Sequence, residues 1–136
     1  MAAIINVSSP DVPDVPIGVS ALYAKASMLR QIKDYKGSAE VTLEAAALWL
    51  AIKARPSIYS CGFEAAKDYA RMGDYETARQ TISTWMLPFQ YCIKSDADVA
   101  ADLTKVAETL MKQGVINEAL SIYQMALKYA GKSLPL

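Results

Sequence analysis

From Val19 onward, apolar side chains recur every three or four positions. Val99, Leu103, Val106 and Leu110 are one such series, Ala78, Ile82, Trp85 and Met86 a second, and Leu22, Ala26 and Leu29 a third. This is the spacing of one face of an α-helix, and no run alternates with period two for long enough to suggest a sheet. The pattern predicts helices over about 18–33, 36–54, 58–72, 75–87, 97–113 and 116–130. Pro56, Pro88 and Pro135 then fall at the ends of elements, where a missing N–H does least harm.

Residues 1–17 read differently. Pro10, Pro13 and Pro16 alternate there with Asp11, Val12, Asp14 and Val15. Proline fixes φ and pushes the residue before it out of the helical region, so an extended arm is expected, followed by a helical domain over 18–131 and a short tail over 132–136.

The helical domain carries an internal repeat. Lys33-Asp34-Tyr35, Gly73-Asp74-Tyr75 and Gly114-Val115-Ile116 recur at spacings of 40 and 41 residues. Three positions after each marker stand Ser38, Ala78 and Ala119, and nine before it Ala26, Ala66 and Ala107. Thr42, Ile82 and Tyr123 follow at matching places. A tight turn between antiparallel helices needs a residue tolerant of positive φ, which Gly73 and Gly114 supply. Asp34 and Asp74 can cap the helix that follows, and small residues at matched heights let paired helices approach. Ala78 and Ala119 are therefore expected at close helix contacts.

Two segments, Ala66…Tyr69…Gly73-Asp74-Tyr75…Ala78…Ile82 and Ala107…Gly114…Glu118-Ala119-Leu120…Tyr123…Ala126-Leu127, resemble the tetratricopeptide repeat. The first repeat is degenerate, with Lys33 for the turn glycine and Ser38 for the alanine; the resemblance spans about 19–130. It implies an all-α fold, a right-handed α-solenoid of about three antiparallel helix pairs with a 40–41-residue period. The family's usual unit is shorter, about 34 residues. Arg55 to Ser60 and Phe89 to Asp96 are the natural places for the excess, in loops or lengthened helices.

In the family, the first helix of each pair lines a partner-binding groove. Carried over, the groove residues are Tyr23 and Arg30, then Phe63, Lys67 and Arg71, then Thr104, Glu108 and Lys112. Lys67 and Arg71 stand one turn apart and suit a peptide carboxylate. The family's clamp for chaperone tails does not carry over, because Tyr23, Ser27, Glu64, Ala101 and Lys105 occupy its places and only one of the five fits. The third repeat also resembles a pentatricopeptide unit, whose relatives read RNA.

Charge weighs against the RNA reading. Lysine plus arginine number 14, as do aspartate plus glutamate, leaving no general attraction for phosphate backbones. The apolar fraction, 53%, excludes a disordered chain. Histidine is absent, which removes the commonest general base, every histidine-activated nucleophile and the commonest metal ligand. Asp96, Asp98 and Asp102 form one acidic cluster, better explained by a helix start than by a cation. Cys61 and Cys92 read as small buried residues rather than a disulfide, and the tyrosines and Trp49 and Trp85 as fillers between helices. The Asn6-Val7-Ser8 sequon is without a signal peptide, and the longest apolar run, Ala45 to Ile52, is too short to span a bilayer. A soluble intracellular protein is expected.

The last helix adds one more expectation. Ile116, Leu120, Ile122, Tyr123, Leu127 and Tyr129 spread apolar groups around most of its circumference, and no polar capping helix follows. Ile122, Leu127 and Tyr129, with Val12, Val15 and Ile17 of the arm, form the expected assembly face. The reading is a non-enzymatic protein–protein interaction module or structural subunit without catalytic residues, metal or cofactor. Its expected partners are proteins, peptides or copies of itself, with a helical-repeat RNA binder as the alternative.

Overall fold

A computed structural model of the chain describes residues 15–90 and 94–132. Six α-helices and no strand lie among the described residues: α1 (Val19–Gln31), α2 (Tyr35–Ala51), α3 (Arg55–Arg71), α4 (Tyr75–Thr81), α5 (Asp96–Lys112) and α6 (Ile116–Lys132). Val12 and the rest of the arm before Val15, Cys92, and the tail from Ser133, including Pro135, lie outside the described residues.

Four three-residue turns fold the chain back on itself, and all four are built alike. After α1, Lys33 N–H donates to the Arg30 carbonyl and Asp34 N–H to that of Leu29. The same two bonds recur at Lys53 and Ala54, at Gly73 and Asp74, and at Gly114 and Val115. This double closure places the middle residue at positive φ, which is 66° at Lys33, 59° at Lys53, 73° at Gly73 and 81° at Gly114. The marker residues Tyr35, Tyr75 and Ile116 are each the first residue of a helix. As expected, Asp34 caps α2 by accepting from Gly37 N–H at 2.9 Å, and Asp74 caps α4 by accepting from Thr77 N–H at 3.1 Å.

The excess over a 34-residue unit lies in the helices. Two 17-residue helices and two three-residue turns make up the 40 residues from Tyr35 to Tyr75. Arg55 to Ser60, expected to absorb part of the excess in a loop, instead opens α3, with Pro56 in its first turn where no N–H is needed. The one long connection runs from Leu87 to Ser95.

α4 departs from expectation. Its α-helical part stops at Thr81, and a π-helical turn (Ile82–Met86) and a 3-10 turn (Leu87–Phe89) follow. Thr81 Oγ1 donates to the Thr77 carbonyl at 2.7 Å, competing with the helical ladder, and Pro88 removes a donor six residues on. The wider turn carries the Trp85 backbone onto α3 at Gly62, where a Cβ would lie 2.6 Å from the Trp85 carbonyl carbon. Only glycine fits there.

α1 packs on α2, α2 on α3, α3 on α4 and on α5, and α5 on α6. The core follows the predicted stripes: Val99, Leu103, Val106 and Leu110 of α5 are fully buried with Ile82, Met86, Ala119 and Ile122. A second cluster joins Trp49, Ala45 and Ala46 of α2 to Ile58 and Cys61 of α3. The small residues at matched heights, Ser38, Ala78 and Ala119, and Ala26, Ala66 and Ala107, are all buried.

Candidate functional site

The groove residues expected on α1 and α3 come together, but around a carboxylate of the chain itself. Asp68 of α3 is 0% exposed. Arg30 of α1 grips it with two bonds, Nε to Oδ1 at 2.9 Å and Nη2 to Oδ2 at 2.8 Å. Ser38 Oγ of α2 donates to Oδ2 at 2.8 Å, and Arg71 Nη1, one turn further along α3, donates to Oδ1. The Arg71 guanidinium also lies over the Tyr35 ring, 5.6 Å from its centroid. A buried carboxylate needs this many donors to replace its water, and the fork of Arg30 fits it bidentately. That hydrogen bond holds the Arg30 pKa above its ordinary value, against the opposing effect of burial. The carboxylate that Arg71 meets is therefore Asp68, not a bound peptide, and the lock ties α1, α2 and α3 together.

The other groove residues are also engaged. Lys67 pairs with Glu64 at 3.1 Å and sits over the Phe63 ring, 4.2 Å from its centroid. Tyr23 accepts a 2.6 Å bond from Trp49 Nε1 and lies 3.5 Å from Cys61 Sγ. Burial, with the Cys61 contact adding to it, pushes the Tyr23 hydroxyl up to about 12. On α5, Thr104 Oγ1 donates to the Ala100 carbonyl, while Glu108 and Lys112 are exposed. Between α1 and α3 opens a cavity of about 210 Å³, lined by Tyr23, Arg30, Cys61 and Glu64 among others. Burial pushes the Cys61 thiol up, so the one sulfur facing this cavity is held protonated and a weak nucleophile.

The acidic cluster separates into structural roles. Ser95 caps α5, accepting from Asp98 N–H at 3.0 Å, with Asp96 and Asp98 in the first turn. Asp102 is buried; it accepts from Tyr59 OH at 3.0 Å and pairs with Lys94 at 3.5 Å. Burial first, and then the Asp102 charge, raise the Tyr59 hydroxyl well above its ordinary value. Among the described residues no three His, Cys, Asp or Glu side chains are grouped to hold a metal ion.

What the two outermost helices leave uncovered is apolar. On α1, Met28 and Ile32 are 68% and 74% exposed, and with Ala21, Ala24, Lys25 and Leu29 they line a shallow depression of about 510 Å³. On α6, Leu120 and Leu127 are 54% and 68% exposed. The expected assembly face is corrected at one residue: Ile122 is fully buried, because it points at α5 and belongs to the core. Tyr129 packs partly against that core and carries Lys132 over its ring, 4.5 Å from the centroid. Val15 and Ile17 are exposed. Sequence periodicity flagged the α6 face but not the α1 face, since Lys25 interrupts an otherwise apolar stripe there.

No family model, curated protein or solved structure matches the chain. No described helix is long and apolar enough to cross a membrane.

Proposed function

We propose that this chain is a non-enzymatic protein–protein interaction module of tetratricopeptide type, serving as a structural subunit of a larger assembly. Its three helix pairs, α1–α2, α3–α4 and α5–α6, are read as successive turns of a right-handed solenoid. The repeated turn chemistry and the matched small residues support that reading. The observation that carries the function is the pair of exposed apolar faces on α1 and α6. A free surface rarely leaves such side chains grouped on one helix unless something covers them. The groove is the weaker candidate for a peptide, because Arg30, Lys67 and Arg71 are already paired within the chain.

The test is native size. In an extract of the cells that make it, the tagged full-length chain should run far above its own 14.8 kDa. Met28→Asp and Leu127→Glu, both at exposed positions, should bring it down. A wild-type chain running at the mass of one chain in a fresh, concentrated extract would contradict the reading.

A further inference from the structure

Resting on the reading of the end faces as interaction surfaces, we infer that the partner is a second copy of this chain, stacked head to tail, with Met28 of one copy seated against Met111 and Ala119 of the next.

The inference comes from laying the three pairs on one register. The turns that fix it are Lys33, Gly73 and Gly114, 40 and 41 residues apart. On that register Ala21, Lys25 and Met28 of α1 match Cys61, Ala65 and Asp68 of α3, and Asp102, Val106 and Thr109 of α5. In α3 all three are buried, and in α5 the first two are buried and Thr109 is partly covered; in α1 all three are exposed. The exposed face of α1 is thus the face that each later pair turns toward the pair before it.

The other end is complementary. Leu120 and Leu127 of α6 match Ala39 and Ala46 of α2. Within the chain, Ala39 packs with Ala65 and Ala46 with Cys61, both on α3. The exposed face of α6 is the face that each earlier pair turns toward the pair after it. A second copy's α1 laid on α6 would therefore repeat the α2–α3 interface already present in the molecule.

Residue chemistry at one height points to the same partner. Inside the chain, the junction from the first pair to the second is the ionic lock, Arg30 and Ser38 on one side and Asp68 on the other. The matching places in the junction from the second pair to the third hold Ala70, Ala78 and Thr109, with no charge. At the ends of the chain they hold Met111 and Ala119 on α5–α6, and Met28 on α1. Met111 is half exposed and Met28 more so. Both sides of the open junction changed together from charged to apolar, which an unrelated partner on either end would not require. Lys25 is the one charge in the stripe; its aliphatic stem covers apolar surface while the ammonium reaches the rim. Because the two faces differ, the contact does not close on itself in a pair and builds a chain or a ring.

Sedimentation equilibrium of the purified full chain tests this. The weight-average mass should climb above 14.8 kDa as concentration rises. Met28→Asp alone, and Met111→Arg with Ala119→Ser alone, should each weaken association at least tenfold, with helical circular dichroism unchanged. An equimolar mixture of the two should recover it, since one junction is then wild type and the other copies the internal lock. Growth of the mixture beyond two chains would report the copied lock directly. A wild-type mass that stays at one chain in the millimolar range would overturn the inference. So would association that Met28→Asp leaves unchanged, or a mixture no heavier than its parts. A chain that is monomeric when pure but large in extract would overturn self-stacking and leave the end-face reading standing.

Discussion

At the scale of single residues, the molecule spends its strongest electrostatics on itself. Asp68 carries no exposed surface and takes every donor aimed at it from Arg30, Ser38 and Arg71. Removing one member of such a group leaves the others desolvated and unpaired, whereas replacing the whole group by packed apolar residues is often neutral. Asp68→Ala should accordingly cost about 3–5 kcal/mol in urea unfolding. Replacing the group together, with Arg30→Met, Ser38→Ala and Asp68→Met to copy the residues at the open ends, should return most of that loss. If the single and triple variants unfold alike, the lock is not a coupled unit. The buried tyrosines give a second expectation. Tyr23 ionises at about 12 in the fold against 10.0 for a free side chain, so between those values the folded chain holds a proton that the unfolded chain has released. Stability that is complete below pH 10 is therefore lost as the pH climbs toward 12, and a Tyr23→Phe chain should lose it less steeply over that window. Equal slopes for the two chains would refute the assignment.

At the scale of elements, turns and helix faces account for most of what the sequence made legible. Glycine and aspartate mark three of the four turns, and the helix they announce begins on the predicted residue each time. The fourth turn, at Lys53-Ala54, was invisible because neither residue type advertises positive φ or a cap, and the fold holds Lys53 at 59° through backbone bonds alone. Left-handed backbone is costly for a residue with a Cβ, so Lys53→Gly and Lys33→Gly should each stabilise by about 0.5–1 kcal/mol, read as a higher melting temperature. No gain at either position would mean that the strain is relieved elsewhere. The end of α4 was also missed, since a helical stripe looks the same through an α-turn or a π-turn; the clue was Gly62, a glycine in mid-helix that makes room for another backbone. Gly62→Ala must push the Trp85 backbone away and should destabilise by about 1–3 kcal/mol. A melt identical to the parent's would show that this approach is not fixed. The lock and the α1 face were not legible because both depend on which pair stands next to which, and periodicity within a helix says nothing of that.

At the scale of the whole molecule, the interior is closed and the ends are open. Ile58, Ile82, Leu103 and Ile122 are fully covered, while Met28, Ile32, Leu120 and Leu127 lie on the two terminal helices with half or more of their surface free. The proposal that these ends are interfaces turns on whether they are covered when the protein is at work. Methionine footprinting in the cells that make the chain reads this most directly, because the chain carries its own controls. Met86 is buried by the core, and Met72 is 44% exposed in a turn away from the end faces. In the purified chain at high dilution, Met28 should oxidise at least as fast as Met72, and Met86 hardly at all. In cells, Met28 should become protected while Met72 does not. Met28 oxidising in cells as fast as in the dilute purified chain would contradict the central claim.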